Sequence, residues 1–215
     1  MAVTKTKTST NKRNKKNPRD GTFVFVDVEN VRSSAQGEGY VDLDYKKLFE
    51  WLKEKQNAKR IYLYLGIIDG DEKKENRYKK LAKIENCFVS IKKVKVYRKN
   101  PIPLKTICPK CKKHFDRRFY PKATLKANCD VELTLDAINF GVRKKYKRII
   151  VFSGDGDFAK LYEYVAKRLE KKVIVYAPSD KGKDKRTAAS VKKLNRDRVI
   201  TLENLRGLFK DYAIK

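Results

Sequence analysis

Residues 22–28 read TFVFVDV, an unbroken run of β-branched, aromatic and other strand-forming side chains ending in an aspartate. A strand with one wet face alternates apolar and polar residues; a run apolar at both alternations is a strand covered on both sides. Arg60–Ile67 (RIYLYLGI) repeats the pattern, and Arg148–Phe152 and Lys172–Tyr176 are shorter versions of it. Phe88–Tyr97 alternates loosely, as expected of a strand nearer an edge, and Val199–Thr201 is a last short one. Between these runs the apolar period changes. Asp44 is placed to cap a helix carrying Tyr45, Leu48, Phe49 and Leu52 at helical spacing. Further helices are predicted over Asp71–Asn86, Asn128–Val142 (with Val131, Leu133, Leu135, Ile138 and Phe140 facing the core), Phe158–Leu169, Arg186–Leu194 and Glu203–Tyr212. Ser33, Ser34, Gly37 and Gly39 suggest a loop after the first strand. Strands alternating with helices specify an α/β fold: a doubly wound, mostly parallel sheet of five or six strands.

Two stretches depart from this rhythm. Residues 1–20 hold seven Lys and Arg among Thr, Ser and Asn, too polar to repay their ordering, and are expected to be a disordered basic arm. About residues 100–122, four prolines and the pair Cys108 and Cys111 mark an insertion into a single domain spanning 21–215. Across all 215 residues, 54 Lys and Arg face 26 Asp and Glu, a formal charge of +28. So one-sided a charge repels itself and points to a polyanionic partner, nucleic acid above all. There is no apolar run of about 18 residues to span a membrane. The first residues lack the apolar stretch of a secretory signal, and four cysteines are too few for a disulfide scaffold. A reducing, cytoplasmic location is the expectation.

In open α/β sheets, ligands bind beyond the carboxyl ends of the strands. The first strand ends in Asp27-Val28-Glu29-Asn30, and the strand at 148–152 runs into Ser153-Gly154-Asp155-Gly156-Asp157. The helix after the insertion opens with Asn128-Cys129-Asp130. Asp27, Asp130, Asp155 and Asp157 gathered at one edge would repel one another unless a cation lay between them. Oxygen-only ligands suit Mg²⁺ or Mn²⁺, which polarise a phosphoryl oxygen and activate water. Singly, each acid has a plainer reading: Asp130 and Asp157 as helix caps, Asn30 as a turn residue. No Ser-His-Asp or Cys-His set competes, since the one histidine, His114, lies in the insertion, and no phosphate-cradling glycine loop is present.

FVFVDVENV at 23–31, KANCDVELTLDAI at 126–138 and IIVFSGDGDFAKL at 149–161 resemble, in order, the three motifs of NYN domains, the LabA-like group included. These belong to the PIN-like superfamily of metal-dependent ribonucleases. The resemblance runs over about residues 22–202. It implies a metal-dependent ribonuclease, with Asp27, Asp130, Asp155 and Asp157 as catalytic and Mg²⁺- or Mn²⁺-binding residues. It places Asn30 and Ser153 in the same site motifs, with Lys126 beside them toward substrate. Asp136 follows Asp130 by six residues, which turns it about 120° around a helix, toward a supporting position. Cys129, where the family has a Val-like residue, is read as core. Haloacid-dehalogenase phosphatases and Toprim domains also carry acid pairs near glycine, but neither accounts for Asp130 where it stands.

Cys108-Pro-Lys-Cys111 with His114 suggests a structural zinc site short of one ligand. Cys87 is badly placed to supply it, Cys129 better, and a second protomer in a homodimer is a further source; two free thiols in a loop are the plain alternative. Phe115, Phe119 and Tyr120 lie among Lys and Arg in the insertion, a composition suited to unpaired bases. Lys181–Arg186 forms a second basic loop near the acidic edge. Two functions follow: a metal-dependent nuclease acting on RNA, or on DNA, and a nucleic-acid-binding regulator that keeps the acids without turnover.

Overall fold

The computed structural model describes residues 21–210 except 38, 41, 98–99, 122–123, 127, 144, 178–186, 195–198, 202–204 and 206. The segment 1–20 and the loop Lys181–Arg186 therefore lie outside the described residues.

The run at 22–28 supplies the central strand. β1 (Thr22–Asp27) lies between β3 (Ala58–Ile67) and β9 (Arg148–Phe152); β4 (Cys87–Lys93) flanks β3, while β10 (Lys172–Ala177) and β11 (Val199–Thr201) extend the sheet beyond β9. All pairings in this six-stranded sheet are parallel. Its doubly apolar sequence has a direct structural counterpart. Val24 and Val26 point into one core, with Val31 and Ala35 of α1 (Val28–Gly37), Leu48 and Leu52 of α2 (Tyr45–Gln56) and Tyr78 of α3 (Glu72–Leu81). Phe23 and Phe25 point into the other, with Leu133 and Ala137 of α4 (Asp130–Val142), Leu161 and Val165 of α5 (Ala159–Lys167) and Val191 of α6 (Ala189–Lys192). Each such buried Val, Leu or Phe side chain contributes about 1.5–3 kcal/mol, which fixes the register of the central strands. Helices cover both faces, as a doubly wound sheet requires.

The structure corrects several sequence expectations. The segment after β1 is a helix, α1, rather than a loop. Val28, Val31 and Ala35 recur at helical spacing and are buried, and the Asp27 carboxylate accepts the Asn30 N–H at 3.2 Å to cap the first turn. α3 stops at Leu81, short of the expected Asn86, which adopts a left-handed φ of 63°. On α4, Leu133 is buried but Val131 and Leu135 are 63% and 55% exposed, so the core stripe is narrower than its composition suggests. The expected strand Phe88–Tyr97 divides at Val94. β4 stays at the sheet edge, whereas β5 (Lys95–Tyr97) leaves it to pair antiparallel with β8 (Thr124–Lys126). Beyond that pair, β6 (Ile102–Ile107) and β7 (His114–Phe119) form an antiparallel ribbon with Cys108 and Cys111 in its turn. The β5–β8 pair thus brackets the stretch of about 100–122 expected as an insertion. Where a closing helix over Glu203–Tyr212 was expected, β12 (Phe209–Lys210) pairs antiparallel with β2 (Asp42–Leu43).

Among the described residues, no helix is long and apolar enough to cross a membrane.

Candidate metal centre and active site

The strand order places the site. Connections from β1 run to one side of the sheet, through β3 to β4; those from β9 run to the other, through β10 to β11. The order reverses between β1 and β9, and a crevice opens beyond the carboxyl ends at such a switch point. Asp27 ends β1, and Ser153–Asp157 follows β9.

A short hydrogen-bonded frame joins the two strand ends. Ser153 Oγ donates to Asp27 Oδ2 and accepts the Asp155 N–H, both at 3.2 Å. The Gly154 N–H donates to Asn30 Oδ1 at 2.9 Å, which ties α1 to the loop after β9. Asp155 Oδ1 accepts the Asp157 N–H at 3.0 Å and so caps the 3₁₀ turn Gly156–Phe158. At Gly156 the chain passes close beneath α6: a Cβ there would lie 2.8 Å from both the Ala188 Cβ and the Ser190 Oγ. From the other side, Asn128 Oδ1 accepts the Asp130 N–H at 2.9 Å, which sets the start of α4.

Asp130, Asp155 and Asp157 come together, each offering one carboxylate oxygen within 4.8 Å of the others. Among the described residues this is the group of three acids, cysteines or histidines so placed. Asp27 stands outside that trio but borders the same cleft, of about 450 Å³, with Asp130, Asp155, Glu29, Asn30 and Tyr64. Burial, above all, raises the Asp27 pKa to about 6; the charges of Asp130 and Asp155 add to the rise, while the Asn30 N–H and the Ser153 hydroxyl oppose it. Asp130 is also shifted upward, first by burial and then by Asp155, Asp157 and Glu132, against the hydrogen bond from Asn128. The Tyr162 hydroxyl is buried without a hydrogen-bond partner among the described residues, within electrostatic reach of Asp27, Asp155 and Asp130. Crowded carboxylates, with Asp27 and Asp130 among them shifted toward the neutral acid when no cation is bound, fit a hard divalent cation with its own water ligands.

The remaining expected residues divide. Ser153 is fully buried, and its Oγ and the Asn30 Oδ1 are both engaged in the frame. Asp136 is not one of the trio, and its Oδ2 accepts the Tyr64 hydroxyl at 2.7 Å, a supporting contact on the neighbouring strand. Cys129 is buried, with its thiol pushed up to about 11, first by burial, as befits a core residue. The backbone of Lys126 closes β8; its side chain is outside the described residues. Cys108 and Cys111 share the ribbon turn, but with His114 they do not form a group comparable to the three aspartates. N–H donation from Cys111, with further help from the Cys111 thiol and the Lys110 N–H, lowers the Cys108 pKa. Lys112 closes that turn at a left-handed φ of 58°, its N–H on the Cys108 carbonyl at 2.9 Å.

Glu29 and Tyr64 are among the lining residues that were not anticipated. Glu29 lies in the first turn of α1, bonded to Lys74 Nζ and, at 3.1 Å, to Arg32. Tyr64 sits on β3 opposite Asp27 in register, and that neighbouring strand end was the available signal for it.

A parallel sheet with an acid cluster at its switch point defines an α/β protein with a candidate metal centre. The chain belongs to the NYN domain family, whose model matches residues 21–203, and NYN domains are part of the PIN-like nuclease superfamily. Members of that superfamily usually act on nucleic acid with divalent metals. Among solved structures, the chain is similar to a Vibrio parahaemolyticus protein of unknown function, at 20% identity and a TM-score of 0.56, over 86% of this chain and 94% of that one. That likeness concerns the fold alone. No curated protein matches the chain.

Proposed function

We propose that the protein is a divalent-metal-dependent ribonuclease that hydrolyses phosphodiester bonds in the cleft between β1 and β9. The observation that carries this reading is the approach of Asp130, Asp155 and Asp157 to within 4.8 Å, from three separate backbone positions. Acids with only a capping duty have no reason to converge at a cost in repulsion.

Asp130, Asp155 and Asp157 would hold Mg²⁺ or Mn²⁺, with Asp27 facing them across the cleft. Bound there, the cation polarises a phosphoryl oxygen and lowers the pKa of water. The chain's own residues supply the geometry. Ser153 fixes the Asp27 carboxylate, Asn30 fixes the loop after β9, and Asn128 fixes Asp130, so the carboxylates are held before substrate arrives. Lys74 and Arg32 balance Glu29, and Lys92 balances Glu132, which limits the negative charge that an incoming phosphate meets. RNA is favoured as substrate by the family resemblance, and the charge of +28 supports a nucleic-acid substrate of either kind.

In the same reading, Cys108, Cys111 and His114 would contribute to a structural zinc site that needs a fourth ligand from elsewhere. Support comes from the N–H donors around Cys108, which favour its thiolate.

Labelled single-stranded RNA and DNA, incubated with Mg²⁺, Mn²⁺ or EDTA, test the main proposal. Cleavage of RNA with either metal and none in EDTA is expected; binding without cleavage under every condition would leave a regulatory nucleic-acid-binding module.

A further inference from the structure

The ribbon of β6 and β7 has no duty in the chemistry above. Ile102 pairs with Phe119, Leu104 with Arg117, and Thr106 with Phe115. Directly opposed residues of an antiparallel pair share a face, and faces alternate along each strand. One face therefore carries Ile102, Leu104, Phe115 and Phe119 around Arg117. The other carries Pro103, Lys105, Ile107, His114, Asp116 and Arg118. A two-stranded ribbon normally hides an apolar face against another layer. Here Ile102, Leu104, Phe115 and Phe119 are 48%, 45%, 36% and 53% exposed. The Arg117 guanidinium lies over the Phe115 ring, 5.2 Å from its centroid, which makes one flat, cationic and aromatic platform.

The charge on the ribbon selects its occupant. Residues 100–121 contain Lys105, Lys110, Lys112, Lys113, Arg117 and Arg118 against Asp116 alone. A second copy would set like charges face to face, and an uncharged apolar partner would leave the cations unanswered. Flat apolar surfaces joined by regularly spaced anions satisfy both the rings and the cations, and unpaired nucleotides have that form. The ribbon is also rooted at the site. After β8 the chain reaches Asn128 and Cys129, which line the acidic cleft, and Lys92 Nζ anchors that return through the Asn128 carbonyl at 2.9 Å.

We infer that the β6–β7 ribbon is a docking arm for single-stranded RNA, stacking unpaired bases on Phe115, Arg117 and Phe119 and leading the strand toward the acidic cleft. It rests on the ribonuclease reading in naming RNA and the direction of the strand, and its test separates binding from cleavage. The double variant Phe115→Ala/Phe119→Ala in the full chain is compared with wild type. Binding is measured with a labelled 20-nucleotide single strand, a duplex of equal length, and vesicles containing phosphatidylserine; cleavage is measured on the 20-mer and on a tetranucleotide too short to reach the arm. Loss of both rings should weaken single-strand binding about tenfold or more, given about 1–3 kcal/mol per stacked base. The salt dependence, duplex binding and tetranucleotide cleavage should be unchanged, and Phe119→Trp should retain single-strand binding. Equal single-strand affinity in wild type and double variant would overturn the inference, as would equal losses on strand and duplex. A loss confined to vesicles would assign the face to membrane surface instead and equally overturn it. Wild type that binds the strand through these rings but cleaves nothing would contradict the ribonuclease reading and leave the arm standing.

Discussion

Asp27 shows most clearly how one residue serves both fold and site. Its Oδ1 caps α1 and its Oδ2 receives Ser153, yet burial and two acidic neighbours hold its pKa at about 6, above the ordinary 3.8. An acid whose pKa rises on folding contributes stability at pH below 3.8 and loses that contribution as pH climbs through 6. At pH 7 without metal, keeping this carboxylate ionised costs the fold on the order of 2–3 kcal/mol. Asp27→Asn keeps the shape and removes the charge. Its metal-free melting temperature should therefore gain on wild type as pH rises from about 4 to about 6.5, and saturating Mn²⁺ should shrink the difference by stabilising only wild type fully. A gap independent of both pH and metal would mean that Asp27 is no more than a cap. Tyr64 and Asp136 make a smaller residue-level claim. Tyr64→Phe leaves the half-buried Asp136 without its 2.7 Å donor, which should cost about 1–3 kcal/mol in chemical denaturation with metal affinity little changed. The four aspartates were legible in the sequence because each stands at a strand or helix end in a basic chain. Glu29 and Tyr64 were not, since what marks them is a neighbour brought close only by folding.

Elements were legible to the degree that their sequence, rather than their surroundings, decides them. β1, β3, β9 and β10 are continuous apolar runs and form where expected, as does α2 under its Asp44 cap. α1 was misread because Ser33, Ser34 and Gly37 suit loops, and its burial against β1 outweighs that preference. β2 and β12, two residues each, exist only as each other's partner. The division of 88–97 into β4 and β5 follows from the ribbon that β5 begins, and β-propensity is blind to it. Gly156 tests how tightly one such junction is built. Gly156→Ala drives a methyl group against the Ala188 Cβ at 2.8 Å, where backbone must move. It should destabilise the fold by about 1–3 kcal/mol and weaken metal binding by displacing Asp155 and Asp157. Unchanged metal affinity, measured by Mn²⁺ titration, would show that the turn adapts. In the ribbon turn, zinc measured by atomic emission should be present at about one per chain and vanish in Cys108→Ser, with the sheet still folded. Freshly purified protein free of zinc would return Cys108 and Cys111 to plain thiols.

At the scale of the whole molecule, a chain of charge +28 carries its converging acids in one cleft. Such a distribution draws a polyanion to the surface, and in the proposed reading the acids hold a cation where the strand passes. The basic segment 1–20 adds seven cations to that field. Its deletion should lower RNA affinity and flatten the slope of log affinity against log salt by at most about 5, at ~0.7 per neutralised phosphate, while cleavage per bound strand is retained. An unaltered slope would exclude this segment from phosphate contact. The most direct test of the central claim is the rate of cleavage of one labelled single-stranded RNA by wild type and Asp155→Asn, each with saturating Mn²⁺ and with EDTA. The convergence of Asp130, Asp155 and Asp157 predicts cleavage by wild type with metal, none in EDTA, and a fall of at least about a hundredfold in the variant, on the scale of losing an electrostatic group at a reacting centre, with RNA affinity kept or increased. Equal rates for the two proteins, or cleavage that persists in EDTA, would contradict it.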